Sequence, residues 1–119
     1  MILTKSQIVD VIDWRGTEVQ VPEWGGSVML RTVTAGEREE YETFVIKAKD
    51  PKTGLLNTAN LRAAFLAMCL CDAEGNRLFS HAEVAEIGKK SAAVIERLFD
   101  VAQRHNKLLA DDIKELEGN

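Results

Sequence analysis

Apolar residues recur along this chain with two different periods. Val19 and Val21 alternate with polar neighbours, and Val28 and Leu30 alternate again after Gly25-Gly26, with Thr32 continuing that face. A period of two marks a half-buried strand, so strands are expected over about 17–21 and 27–33. Pro22 lacks an amide donor and suits a strand end or edge. Gly25-Gly26 supplies the freedom a chain reversal needs. The pattern predicts a β-hairpin or β-corner with Trp24 at the bend, where a lone tryptophan is expected to lid the small strands.

Elsewhere the period is close to 3.6. Thr4 or Ser6 caps a short first helix carrying Ile8, Val9, Val11 and Ile12, ended by Asp13-Trp14-Arg15-Gly16. Thr34-x-x-Glu37 is a capping-box pattern that opens a helix to about Lys49, with Tyr41, Phe44, Val45 and Ala48 on one stripe. Asp50-Pro51-Lys52-Thr53-Gly54 breaks the chain, and Thr58 caps the next helix, over about 59–71. Leu61, Ala64, Phe65 and Met68 make its main stripe, while Ala63, Leu66, Ala67, Cys69 and Leu70 fill most of the remaining circumference. Such a helix is either the central core helix or one partly covered by another chain. Asp72 to Asn76 reads as an acidic turn and Arg77-Leu78-Phe79 as briefly extended. The turn mimics part of a calcium loop, but Arg77 stands where the sharp bend wants glycine. Ser80-x-x-Glu83 is a second capping box, opening a short helix with Val84 and Ile87 that Gly88 ends. Ser91 caps the last long helix, whose stripe is Val94, Ile95, Leu98, Val101 and Ala102 with Phe99 beside it. Asn106 is expected to end it in the left-handed conformation, and a final polar helix is expected from Ala110 to Glu117.

Together these elements predict one domain, residues 1–119, of α+β class and predominantly α. An N-terminal β-hairpin packs on a bundle of four to five short helices. The 119 residues are 45% hydrophobic, enough for a single core. The formal charge of −4 argues against a general phosphate-backbone binder. Cys69 and Cys71 have no second pair and no histidine cluster, so no metal site is expected and they read as buried, reduced thiols. No leader-like apolar segment and no run of membrane-spanning length is present, which places the chain in a cytoplasm and away from membranes.

Catalytic chemistry finds no support. His81 and His105 each fall on a predicted helix, with no assignable nucleophile or carboxylate partner. The carboxylates sit in helix first turns and on solvated faces. No glycine loop cradles a phosphate, so neither an enzyme nor a cofactor is expected. A second binding class is a small helix-turn-helix-type DNA-binding regulator, because Ser80 to His105 forms two helices about a short turn. Its second helix begins Ser91-Ala92-Ala93-Val94-Ile95-Glu96-Arg97, a face with few donors for bases and a glutamate facing phosphates. The reading without nucleic acid is preferred.

Val21-Pro22-Glu23-Trp24-Gly25-Gly26-Ser27-Val28, with Arg31 and Thr34-Ala35-Gly36-Glu37-Arg38 after it, resembles the tail assembly chaperones of long-tailed (siphovirus-type) bacteriophages. Cys71 to Ser80 and Asn106 look like the same family, and the resemblance runs over about residues 6 to 117. Its motifs are structural, with none that is catalytic. The resemblance implies a protein of the host bacterial cytoplasm, encoded by a free phage or a prophage. It implies binding to the tape measure protein, keeping it soluble, and promoting tail tube polymerisation around it, with absence from the mature virion. Contact with the tail tube protein, self-association into a spiral or ring, and a longer frameshifted form in many relatives are implied as well.

Partner binding is expected on Leu61, Phe65 and Met68 of the 59–71 helix and on Val94, Leu98 and Phe99 of the 91–106 helix, unless these six are simply core. Pro22, Trp24, Gly25 and Gly26 are assigned to the fold, with subunit contacts as a further role.

Overall fold

The computed structural model describes residues 1–55 and 60–106; Thr58 and the helix expected from Ala110 to Glu117 lie outside the described residues. Strands β1 (Gly16–Val21) and β2 (Gly26–Arg31) pair antiparallel, with Gly16 opposite Arg31 and Val21 opposite Gly26. Pro22–Trp24 between them forms one 3-10 turn, closed by Gly25 at φ 78°, a conformation that L side chains resist. The register turns Val19, Val21, Val28 and Leu30 to one face, and Val21 and Leu30 are fully buried there. Trp24 does not lid this face; it is 38% exposed at the turn. The half-buried tryptophan is Trp14, which lies beside Gly16 and Met29 and under the turn at Gly75.

The first helix, α1 (Lys5–Asp10), precedes the sheet, and α2 (Ala35–Lys47) follows it. Next come α3 (Leu61–Cys69), a strand β3 (Leu70–Cys71), the short α4 (Val84–Gly88) and α5 (Ala92–His105). Capping boxes form at Thr4, Thr34 and Ser80. The class is therefore α+β with a larger helical share.

The sheet has a third strand that periodicity hides. The apolar pattern continues as helix to residue 71, but the backbone turns extended at Leu70 (φ −66°, ψ 120°). Leu70 then pairs with Leu30 and Cys71 with Met29. The open edge of β2 offers hydrogen bonds, and both side chains stay buried, so tertiary pairing overrides local preference. Asp72 caps the following turn, its Oδ1 accepting from the amides of Glu74 and Asn76 at 2.9 Å each. The chain returns at once, with Arg77 bridged to Cys71 and the Leu78 amide donating to the Leu70 carbonyl.

Helix α3 is the central helix. Ala63, Ala64, Leu66, Ala67, Met68 and Cys69 are all buried, against α5, α4, α2 and the sheet. Its alanines let neighbouring helices approach closely. Cys69 and Cys71 are free, buried thiols, and burial pushes Cys69 up to about 12. From α5, Val94, Ile95, Leu98 and Ala102 close the core. Asn106 is not left-handed (φ −92°). Its side chain does the capping instead: Nδ2 donates to the Ala102 carbonyl at 2.9 Å, and Oδ1 accepts the Val33 amide at 3.0 Å. Arg97 further ties α5 to the β1–β2 turn by two hydrogen bonds to Glu23, which hold that exposed carboxylate down to about 2.

On the opposite face of the sheet a charge is buried. Arg31, 5% exposed, donates from Nη1 and Nη2 to the two carboxylate oxygens of Glu37 at 2.8 and 2.7 Å. The same carboxylate accepts the Thr34 amide at 2.9 Å, closing the capping box of α2. Arg77 lies 3.6 Å from Glu37 and 3.5 Å from Glu40, drawing the 72–79 loop onto α2.

The amino-terminal arm contrasts with all of this. No residue of α1 is buried. Met1, Ile2, Leu3, Ile8, Val9, Val11 and Ile12 make up seven of the eleven large apolar side chains that remain exposed among the described residues.

Two stability measurements follow from these contacts. Glu37→Ala strands a buried guanidinium and is expected to cost about 3–5 kcal/mol in urea unfolding, with Glu37→Gln costing less. Burial alone would raise the Glu37 carboxyl, but the bonds from Arg31 and Thr34 outweigh it and hold the folded value below the ordinary 4.5. This contribution is therefore complete above pH 4.5 and lost as pH falls through the lower folded value; Glu37→Gln is expected to flatten that acid limb. At Gly75 the backbone is left-handed (φ 86°) and an added Cβ meets the Trp14 ring. Gly75→Ala is expected to cost about 1–3 kcal/mol and to shift tryptophan emission to the red.

Candidate functional site

Three helices leave a groove between them. α2 presents one side of it with Tyr41, α3 the floor with Phe65 and Met68, and α5 the far side with Phe99 and Gln103. Val33 and Asn106 close one end, and the volume is about 540 Å³. That lies within the roughly 300–1,000 Å³ of a ligand pocket.

The walls are aromatic and mutually braced. Tyr41 and Phe65 meet edge to face with centroids 5.2 Å apart, and Phe65 and Phe99 do so at 5.7 Å. Arg62 lies over the outer face of Phe99, 5.6 Å from its centroid. Burial raises the Tyr41 hydroxyl above its ordinary 10. The rim is charged: Arg38 pairs with Glu42 at 3.3 Å, and Arg104 stands on the opposite side. Among the described residues no nucleophile–base pair lines the groove, and their chemistry is that of an apolar cleft with a polar rim.

Of the six partner-binding residues expected from the sequence, Phe65, Met68 and Phe99 come together here. Met68 is 1% exposed and lies deep in the floor. Leu61 is half-buried away from the groove, and Val94 and Leu98 are core residues, 2% and 0% exposed. Val33, Arg38, Tyr41, Glu42, Gln103, Arg104 and Asn106 also line the site and were not among the candidates. Tyr41 carried a signal, its place on the apolar stripe of α2. The others depend on how α2 is set against α5, which no local pattern encodes. Pro22, Trp24, Gly25 and Gly26 form the β1–β2 turn, away from the groove.

The histidines have structural partners. His105 Nε2 lies 2.7 Å from the Arg15 carbonyl and donates to it, while His81 Nδ1 lies 3.5 Å from Glu40. Among the described residues no three His, Cys, Asp or Glu side chains converge as metal ligands would. No helix among them is long and apolar enough to cross a membrane.

Comparison with known proteins agrees with the resemblance read from the motifs. The chain matches no curated protein sequence at a significant level. A solved structure, that of the bacteriophage HK97 tail assembly chaperone, superposes with a TM-score of 0.58 at 23% identity, over 82% of this chain and 88% of that one. At that identity the likeness establishes the shared fold. The sequence profile of the family described as "Phage tail assembly chaperone" matches residues 5–115. With that match spanning nearly all of its length, the chain belongs to the phage tail assembly chaperone family.

Proposed function

We propose that this chain binds the phage tape measure protein in the host bacterial cytoplasm and keeps it soluble until tail tube subunits polymerise around it. The role is binding rather than catalysis, and the chaperone leaves before the virion is complete. The observation that carries the reading is the open aromatic groove between α2, α3 and α5 in a chain of this family. A long helical partner exposing apolar side chains would aggregate alone. A groove lined by Phe65, Met68 and Phe99 accepts such side chains, and the rim charges Arg38, Glu42 and Arg104 orient the segment that carries them. The net charge of −4 keeps the loaded complex dispersed. Contact with the tail tube protein and self-association into a spiral or ring belong to the same reading.

The helix-turn-helix alternative fits the fold less well. The outward face of α5 carries Glu96 and Asp100, and Arg97 is already engaged by Glu23. Carboxylates on that face oppose a phosphate backbone.

Co-expression with the tape measure protein, followed by affinity purification, tests the reading. The partner is expected to become soluble only with this chain and to co-purify with it. Phe99→Ala is expected to stay folded and to weaken capture by roughly 10–30-fold, the range of an interface hot spot. Failure to co-purify, together with a shift of duplex DNA at physiological salt, would turn the assignment to the regulator.

A further inference from the structure

Asn106 closes one end of the groove, and residues 107–119 continue from it. We propose that this carboxy-terminal segment occupies the groove of its own chain and must be displaced before the tape measure protein enters. The inference rests on reading the groove as a docking surface, and it assigns that surface a resident competitor.

The point of departure is fixed. The Asn106 amide donates to the Ala102 carbonyl at 3.1 Å, and its Nδ2 donates to the same carbonyl at 2.9 Å. Its Oδ1 accepts from the amide of Val33, the other residue at that end of the groove, at 3.0 Å. The segment therefore starts at the groove with no linker to span. A tether this short gives an effective concentration of order ~1 mM. Contacts that hold at only about 100 µM then fill the groove about nine-tenths of the time.

The sequence of the segment suits the site. Leu109, Ile113 and Leu116 stand at i, i+4 and i+7, the spacing of anchors that a helix lays into a groove. Placed on a helix of 3.6 residues per turn, Asp112 and Glu117 fall on the two flanks of that stripe and Lys114 falls opposite it.

The groove offers the complement. Its floor and walls carry Tyr41, Phe65, Met68 and Phe99, and its two rims carry Arg38 and Arg104. Among the described residues Arg104 has no carboxylate partner, and Arg38 meets only the largely exposed Glu42, at 3.3 Å. An apolar stripe flanked by carboxylates thus meets an apolar cleft flanked by guanidinium groups. The same chemistry defines what displaces the segment: a partner helix whose apolar stripe is flanked by carboxylates.

Photo-cross-linking in the intact chain tests this. With a benzophenone side chain in place of Ile113, irradiation is expected to join residue 113 to Tyr41, Phe65, Met68 or Phe99 of the same chain. Mixing light and isotope-labelled chains identifies the source, and no mixed pairs are expected. Cross-links that map elsewhere on the fold, to residues 1–12, or between light and heavy chains overturn the proposal. Binding of the neutral apolar dye Nile red gives a second readout. L109D/I113D, which leaves the groove itself unchanged, is expected to bind the dye about tenfold more tightly than the intact chain, as release from nine-tenths occupancy requires. D112K/E117K and R38E/R104E are each expected to move the same way, and the two pairs combined in one chain are expected to restore the weak binding of the intact protein. Equal dye binding by all of these chains overturns the proposal. Capture of the tape measure protein is scored separately and is expected to tighten about tenfold in L109D/I113D. If neither that variant nor the intact chain captures it, the chaperone reading fails, while the cross-links still decide the place of the segment.

Discussion

Everything about this fold depends on how one buried cation is neutralised. Arg31 ends β2 with its guanidinium inside the protein, and leaving it alone there would cost several kcal/mol. Glu37 supplies both oxygens, and it is available only because Thr34 starts α2 three residues earlier. One carboxylate therefore fixes the end of a strand, the start of a helix and, through Arg77, the loop behind the sheet. The direction in which α2 leaves the sheet follows, and with it the position of Tyr41 over Phe65. The ion pair thus sits at the junction of strand, helix and loop from which α2 sets out.

Much of the fold was legible because its signals are local. Thr34-x-x-Glu37 and Ser80-x-x-Glu83 are short-range hydrogen-bond patterns; the first opens α2, and the second opens a 3-10 turn, His81–Glu83, that runs into α4. Alternation at Val19, Val21, Val28 and Leu30 gave the hairpin, and its register keeps all four on one face. What escaped reading depends on distant partners. Leu70 and Cys71 continue a helical pattern and become strand because the edge of β2 lies there. Asn106 carries the sequence of a left-handed cap but finds Val33, 73 residues away, and caps through its side chain. Trp24 does not become the expected lid and stays 38% exposed at its turn, while Gly75 makes room for Trp14.

The site was legible to the same degree. Of the apolar residues expected on α3 and α5, Phe65, Met68 and Phe99 line the groove and the other three do not, because periodicity separates faces of a helix and not depths beneath a surface. Leu98 and Phe99 are adjacent in sequence, and one is at the centre of the core while the other lines an open groove. Only the gap between α2 and α5 distinguishes them. That gap also explains why a small domain can keep a core and an open apolar groove together: the alanines of α3 bring its neighbours close on one side, and aromatic residues line the other.

The ties between the ends of the chain bear on how it is made. Glu23 binds Arg97, Val33 binds Asn106 and Arg15 binds His105, spans of 74, 73 and 90 residues. During synthesis the amino-terminal segments leave the ribosome long before α5 exists. Until then the sheet lacks its covering helix and the groove lacks a wall. The arm, whose one helical turn is satisfied by Thr4 and Gln7, needs none of those later residues. Translation thus completes the arm before the groove: the amino-terminal helix can form on the emerging chain, while the groove waits for the last helix to supply its far wall.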